Sequence, residues 1–305
     1  MLGEGLRRNN GFEVLNNGER EKIRNWLNGA EIEVIPTKSG TLKTETLLSM
    51  PIDNSIAVTS SPKESLEKFT INFSRMLIES GREGKVVPHI AARHLTSSEH
   101  LVKIMDDVQK LNVKKIFSIA GDNSEPSGPF SSSLDFLRGI QEKDISSEGI
   151  DIAGYPEGHP KIPTEILNQA LLSKQKWAKE TGTKMNIVTQ ICFGSESIIN
   201  WVEKIRGLGV ELPVVVGVPG RISIVKLADL AKDLGIGGFA EFFSKNFGYA
   251  SDLAKAALAN YEPNQLLIDL SKKTSDKHKV EGIRIFTMYN IVPSMDWLEG
   301  AKSSL

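Results

Sequence analysis

A single cysteine, Cys192, stands in a chain of 305 residues. A lone thiol closes no internal disulfide, and no Cys/His spacing resembles a zinc site. The five histidines are scattered, so no catalytic metal is expected. Long apolar runs are missing too: none approaches the ~18–20 residues that a membrane span requires. The opening stretch MLGEGLRRNNGFEV has no apolar core, which argues against a secretory signal and leaves a cytoplasmic protein as the expectation. Neither sign of charge is in excess. The 37 basic and 38 acidic side chains leave a net charge of −1, so nothing electrostatic points to nucleic acid or an anionic membrane as a partner. A local basic pocket for a small anionic ligand stays open, as does a homo-oligomer. Internal repeats, low-complexity tracts and interdomain linkers are absent as well.

What the sequence does contain is alternation on a large scale. Short β-branched runs recur: EIEVI (31–35), SIAVT (55–59), KVVPHI (85–90), KKIFSIA (114–120), IDIAGY (150–155), MNIVTQ (185–190), PVVVGV (213–218) and IRIFTM (283–288). Their near-continuous apolar character suits strands covered on both faces, as in a parallel sheet. Helical periodicity fills the gaps: Pro62–Glu79, Ser97–Leu111, Leu134–Ile140, Pro163–Glu180, Glu196–Leu208 and Ile224–Leu234. Between the last two strands lie Gly238–Phe247, Ser251–Asn260 and Pro263–Lys272, read as holding an extra helix over the barrel mouth. Eight strands alternating with helices allow a closed barrel or an open doubly wound sheet. The open form should carry GxGxxG after its first strand, where this chain has PTKSGT. The expected fold is therefore an α/β (β/α)8 TIM barrel over residues 29–305. An N-terminal helical extension at residues 1–28 precedes it, most regular over Glu19–Leu27.

Polar residues interrupt these runs mostly at their C-terminal ends, which in a barrel converge on the face where active sites lie. They include Glu33, Thr59, His89, Gly121, Asp122, Tyr155, Thr189, Gln190, Gly217 and Thr287. Glu33, between Ile32 and Val34, faces opposite to them and so toward the barrel interior. A carboxylate there is costly unless partnered, and such a site commonly raises its pKa. Asp122, in AGDNSEP, is equally readable as a turn residue. His89 reads as a core histidine as readily as a functional one, and YPEGHP as a rigid strand exit. Gln190 can be read as satisfying backbone groups. Cys192 is read as a small buried residue, and GIGGF (235–239) as a weak phosphate signal or a helix stop.

Taken in order, several segments resemble methylenetetrahydrofolate reductases. They are IEVIPTKS, VPHIAARHLTSSEHL, SIAGDNSEPSG, IAGYPEGHP, IVTQICF, VVVGVPG and IRIFTMYN, spread over roughly residues 31 to 290, with IAGYPEGHP the most specific. The resemblance implies FAD as cofactor, NADH or NADPH as reductant and 5,10-methylenetetrahydrofolate as substrate. It implies Glu33 as general acid and Asp122 as the carboxylate that contacts folate and tunes the flavin. Gln190 becomes a pterin-binding amide, and Thr287 a further substrate contact. Thr59, His89, Gly121, Ser131, Tyr155 and His159 fall at positions around FAD or nicotinamide, with Lys174 or Lys176 supplying charge nearby. This chain departs from the family pattern at Ala120 and Asn290, where arginine is usual, and at Ser60, where tyrosine is common. Two rival expectations follow from the departures: a folate one-carbon reductase without bound flavin, and a non-catalytic paralogue that binds folate or a partner.

Overall fold

Each of the eight β-branched runs forms a strand in the computed structural model, which describes residues 11–36, 54–234 and 260–305. The strands are β1 (Glu31–Val34), β2 (Ser55–Val58), β3 (Val86–Ala91), β4 (Lys115–Ile119), β5 (Gly149–Gly154), β6 (Lys184–Ile191), β7 (Val214–Pro219) and, after a long excursion, β10 (Val280–Phe286). They hydrogen-bond in the closed order β1-β10-β7-β6-β5-β4-β3-β2, and every pairing is parallel. The chain therefore folds as a (β/α)8 barrel.

The two-residue period of a strand divides the side chains into two packed sets. Ile32, Val34, Ile56, Val58, Ile90, Ile116, Ile150, Ile152, Ile187, Val216 and Ile285 point outward and join the helices in one continuous core. Ala57, Val87, Phe117 and Val188 form a separate apolar cluster inside the barrel. This explains why the runs look continuously apolar: both faces are buried. Where the inner set turns polar, it does so in chosen places, and those build the site.

The helices start where their sequences offer caps. Helix α1 (Asn17–Asn28) opens with a reciprocal capping box, Glu19 N–H to Asn16 Oδ1 at 2.9 Å and Asn16 N–H to Glu19 Oε2 at 3.0 Å. It buries Ile23, Trp26 and Leu27 and packs on β10, α8 (Asn264–Lys273) and α9 (Ile291–Ser303). Helix α2 (Asn72–Glu79) is shorter than Pro62–Glu79 suggested. A turn at Ser61–Glu64 and a π-helical turn at Glu67–Ile71 take up the first part. Helices α3 (Ser98–Lys110), α4 (Ser133–Glu142), α5 (Thr164–Thr181), α6 (Ser195–Gly207) and α7 (Ile224–Leu234) follow their strands as expected.

Of the excursion between β7 and β10, expected to hold an extra helix over the barrel mouth, only parts are described. Gly238–Phe247, GIGGF and most of Ser251–Asn260 lie outside the described residues. Asn260 belongs to β9 (Asn260–Tyr261), which pairs antiparallel with β8 (Ile222–Ser223) just past the end of β7. Helix α8 does not cover the mouth. It packs beside α1 and α6 in the outer ring, because its apolar stripe of Leu266, Leu267, Ile268 and Leu270 completes the shell there.

Candidate functional site

Four charged side chains meet inside the barrel. Arg284, fully buried on β10, places Nη2 at 2.5 Å from Glu31 Oε2 and at 3.1 Å from Asp151 Oδ2. Lys115 Nζ contacts Glu31 and lies 3.1 Å from Asp151 Oδ2. Asn186 Nδ2 donates to Asp151 Oδ1 at 3.1 Å. The strand register makes this unavoidable, since Glu31 stands opposite Arg284, and Asp151 opposite Asn186. Against the cost of burial, Arg284 and Lys115 pull Glu31 down to about 2. Two anions and two cations thus balance.

Glu33 lies one inward position further along β1, buried, and is the third carboxyl in this interior. Among the described residues no cation forms an ion pair with it. Burial pushes its pKa up to about 7, with Arg284 pulling the other way and Glu31 adding to the rise. His89 of β3 lies beside it, with Nε2 3.8 Å from Oε2. Burial and the Arg284 charge drive the His89 pKa well below its ordinary value, so the ring is neutral. His89 also packs edge-on against Phe117, ring centroids 4.6 Å apart, and Arg284 stacks over the same ring at 4.4 Å. The carboxyl group at position 33 is therefore inward and buried, with a raised pKa. His89 is its neighbour inside the barrel, below the rim.

The rim gathers other residues. Tyr155 and His159, at the β5 exit, meet edge to face with centroids 5.1 Å apart. Asp122, exposed after β4, reaches both electrostatically. Burial and the Asp122 charge raise the Tyr155 pKa. Burial and Lys161 lower that of His159, with Asp122 opposing. Gly121 adopts φ +93°, a left-handed conformation, and a Cβ there would come within 3.0 Å of Ala91 Cβ. The main chain of the β4 exit thus lies tight against β3. Thr59, just past β2, has a buried hydroxyl with no hydrogen-bond partner among the described residues, a cost that native structures normally avoid. Gln190 uses its oxygen to accept from Ile191 N–H at 2.9 Å, while its NH2 donates to none of the described residues.

Three residues expected at the site, Lys176, Ser131 and Thr287, have partners elsewhere in the protein. Lys176 sits far down α5, with Nζ 3.7 Å from Glu180 and its side chain 77% exposed. Lys174, the alternative, is buried in the same helix, where burial lowers its pKa to about 8. Ser131 donates its hydroxyl to Asp135 Oδ2 at 2.7 Å and helps cap α4. Thr287 is buried and donates to the Glu33 carbonyl at 2.8 Å. Asn290 likewise serves the backbone, donating to the Arg221 carbonyl at 2.6 Å.

Sequence reading passed over Arg284, Glu31, Asp151 and Lys115, although Arg284 and Asp151 interrupt apolar runs at inward positions, as Glu33 does. It also passed over Arg93. From the β3 exit, Arg93 donates to the carbonyls of Asn123 and Ser131, both at 2.8 Å. That one side chain holds the loop carrying Asp122. Among the described residues no three His, Cys, Asp or Glu side chains group to hold a metal ion, and no helix is long and apolar enough to cross a membrane.

By fold and site, then, this is a (β/α)8 barrel with a buried acid beneath a polar rim at the C-terminal ends of its strands. Residues 45–235, more than half of the chain, match the family model for methylenetetrahydrofolate reductase, and the chain belongs to that family. It is 26% identical over 209 residues to methylenetetrahydrofolate reductase 2 of Saccharomyces cerevisiae, a match covering 64% of this chain and 34% of that protein. It is 25% identical over 142 residues to methylenetetrahydrofolate reductase (NADH) 1 of Arabidopsis thaliana, covering 41% of this chain and 24% of that one. The matched stretch thus spans about a third or less of those relatives' length.

Proposed function

We propose that this barrel reduces 5,10-methylenetetrahydrofolate to 5-methyltetrahydrofolate, with NADH or NADPH as reductant and FAD as carrier, residues 29–305 forming the catalytic body. The observation that carries the reading is Glu33. It is a carboxyl group left over after the interior charges have balanced, with its pKa raised to about 7. A structural carboxylate would have a cation. A general acid must hold a proton at working pH, and burial without a counter-charge provides that.

The rim fits a flavin. The unpartnered Thr59 hydroxyl, the close-packed Gly121 main chain and the Tyr155–His159 pair would hold it. When bound, the flavin supplies hydride transfer between nicotinamide and folate. Glu33 would donate its proton to N10 of the folate, opening the five-membered ring to a 5-iminium cation. Asp122, negative and exposed beside the rim, would stabilise that cation electrostatically. Gln190, with its NH2 group uncommitted, would donate to the pterin ring. Nicotinamide and folate would use the same face in turn, a ping-pong cycle.

The visible spectrum of the purified protein tests this reading. Blue-region absorption from stoichiometric, noncovalent FAD is expected. A colourless protein that takes up no added FAD would contradict it, and would favour the reductase without bound flavin suggested by Ala120 and Ser60.

A further inference from the structure

The end of β6 departs from a regular strand. Its register against β7 runs Val188 opposite Val215 and then Ile191 opposite Gly217, so β6 carries one extra residue there. The facing of the side chains shows the same slip. Ile187 and Cys192 both join the core outside the barrel, although they stand an odd number of positions apart and strict alternation would put them on opposite faces. The extra residue makes a β-bulge at Thr189 and Gln190. Side chains hold it. Gly217 N–H of β7 donates to Thr189 Oγ1 at 2.8 Å. The same hydroxyl donates onward to the Gln190 carbonyl at 2.9 Å, and the Cys192 thiol donates to that carbonyl too, at 3.1 Å. Burial raises the Cys192 pKa, which keeps the thiol protonated for this. Only glycine fits at position 217: a Cβ there would lie 2.4 Å from the Thr189 carbonyl oxygen and 3.0 Å from that of Gln190.

A bulge re-aims the side chain it carries. Thr189 stands opposite Gly154, which brings Gln190 level with Tyr155 at the rim. Gln190 Oε1 accepts from Ile191 N–H at 2.9 Å. A main-chain N–H can bond only the oxygen of an amide, so the NH2 end is the one left for a ligand. We propose that Thr189 is a positioning residue for Gln190: its hydroxyl, bridging Gly217 N–H and the Gln190 carbonyl, holds the bulge that makes the amide present donors alone to an acceptor atom of the ligand, a ring carbonyl or ring nitrogen. That this ligand is a folate rests on the reductase reading; the hold of Thr189 on Gln190 does not.

The test starts on the purified protein with no folate added, so that failure of the positioning role and failure of the reductase reading are separable. With 15N-labelled glutamine, the Gln190 side-chain NH2 is assigned by its loss in Gln190→Leu. It should relax as a rigid group in wild type and in Thr189→Ser, which keeps the hydroxyl. In Thr189→Val, which keeps the shape and removes the hydroxyl, it should relax as a freely turning group. Gln175 is the internal standard: its amide bonds the Gly209 carbonyl at 2.9 Å and Glu211 N–H at 2.6 Å, and it should stay rigid throughout. A mobile Gln190 amide in wild type, or a rigid one in Thr189→Val, would overturn the proposal. So would a loosened Gln175 in Thr189→Val, which would make the effect a general one. Binding of 5-methyltetrahydrofolate follows. Thr189→Val should weaken it about tenfold, the scale of one hydrogen bond, and Thr189→Ser should bind as wild type does. In a Gln190→Leu background Thr189→Val should add nothing; additive losses would overturn a role through Gln190. Wild-type affinity in Gln190→Leu itself would contradict the folate reading, with the relaxation result still deciding the role of Thr189.

Discussion

The hydroxyl of Thr287 donates to the main-chain carbonyl of Glu33 at 2.8 Å, tying the end of β10 to β1 at the residue that carries the acid. Both residues are buried, so the bond is shielded from water. Thr287→Val keeps the shape and removes the donor. Unfolding in urea should show a loss of about 1–2 kcal/mol, the usual range for leaving a buried acceptor unpaired. The KM for folate should move little. A raised KM with unchanged stability would instead make Thr287 a substrate contact.

Arg284 stands between two buried carboxylates, and removing it leaves them Lys115 to share. Arg284→Met should cost about 3–5 kcal/mol by denaturant unfolding, the scale for breaking a buried ion pair from one side. Glu31→Gln introduced into that background should recover part of the loss, because one of the two anions is gone. No recovery would mean that the guanidinium matters for its packing on Phe117 and not for its charge.

Glu33 makes stability depend on pH in a definite direction. Its pKa is raised from 4.5 to about 7 in the folded chain, so between those values the folded state binds the proton that the unfolded state has released. Its contribution is full below about pH 4.5 and is lost as pH climbs through about 7. The total is about 3 kcal/mol, taking ~1.4 kcal/mol per pH unit. Wild type and Glu33→Gln, compared by urea unfolding from pH 4.5 to 8, should diverge with rising pH, the glutamine variant gaining. Parallel curves would mean an ordinary acid at position 33.

Thr59 pays for its place with an unsatisfied hydroxyl. Thr59→Val should leave the flavin-free protein as stable or slightly more so, by up to about 1 kcal/mol. Flavin affinity, followed by fluorescence quenching, should fall about tenfold, the equivalent of ~1.4 kcal/mol. A variant that binds flavin as tightly as wild type would remove Thr59 from the cofactor site.

The strands were legible because their apolar runs are bounded by polar exits, and Glu33 because it interrupts such a run at an inward position. Arg284, Glu31 and Asp151 obey the same period but belong to different strands, and only the closed register puts them in contact. No local pattern carries that information. Lys176 sits far along its helix for a geometric reason. Helix α5 runs from the rim down the outside of the barrel, and its thirteenth residue lies roughly 18 Å along the axis, at 1.5 Å per residue. Helix α9 was not anticipated: after β10 come Thr287 and then Met288 and Tyr289, both in left-handed conformation (φ 48° and 64°), before the helix begins. Arg93 left no trace in sequence, since its partners are carbonyl oxygens more than 25 positions away.

The most direct test of the account is stopped-flow measurement of the two half-reactions in Glu33→Gln. Flavin binding and flavin reduction by NADH or NADPH should be nearly intact, because no folate is protonated in that step. The folate half-reaction should fall by a factor of about 10² or more, the scale for loss of a general acid. An unimpaired folate half-reaction would take Glu33 out of the mechanism, and equal impairment of both halves would make it a structural residue.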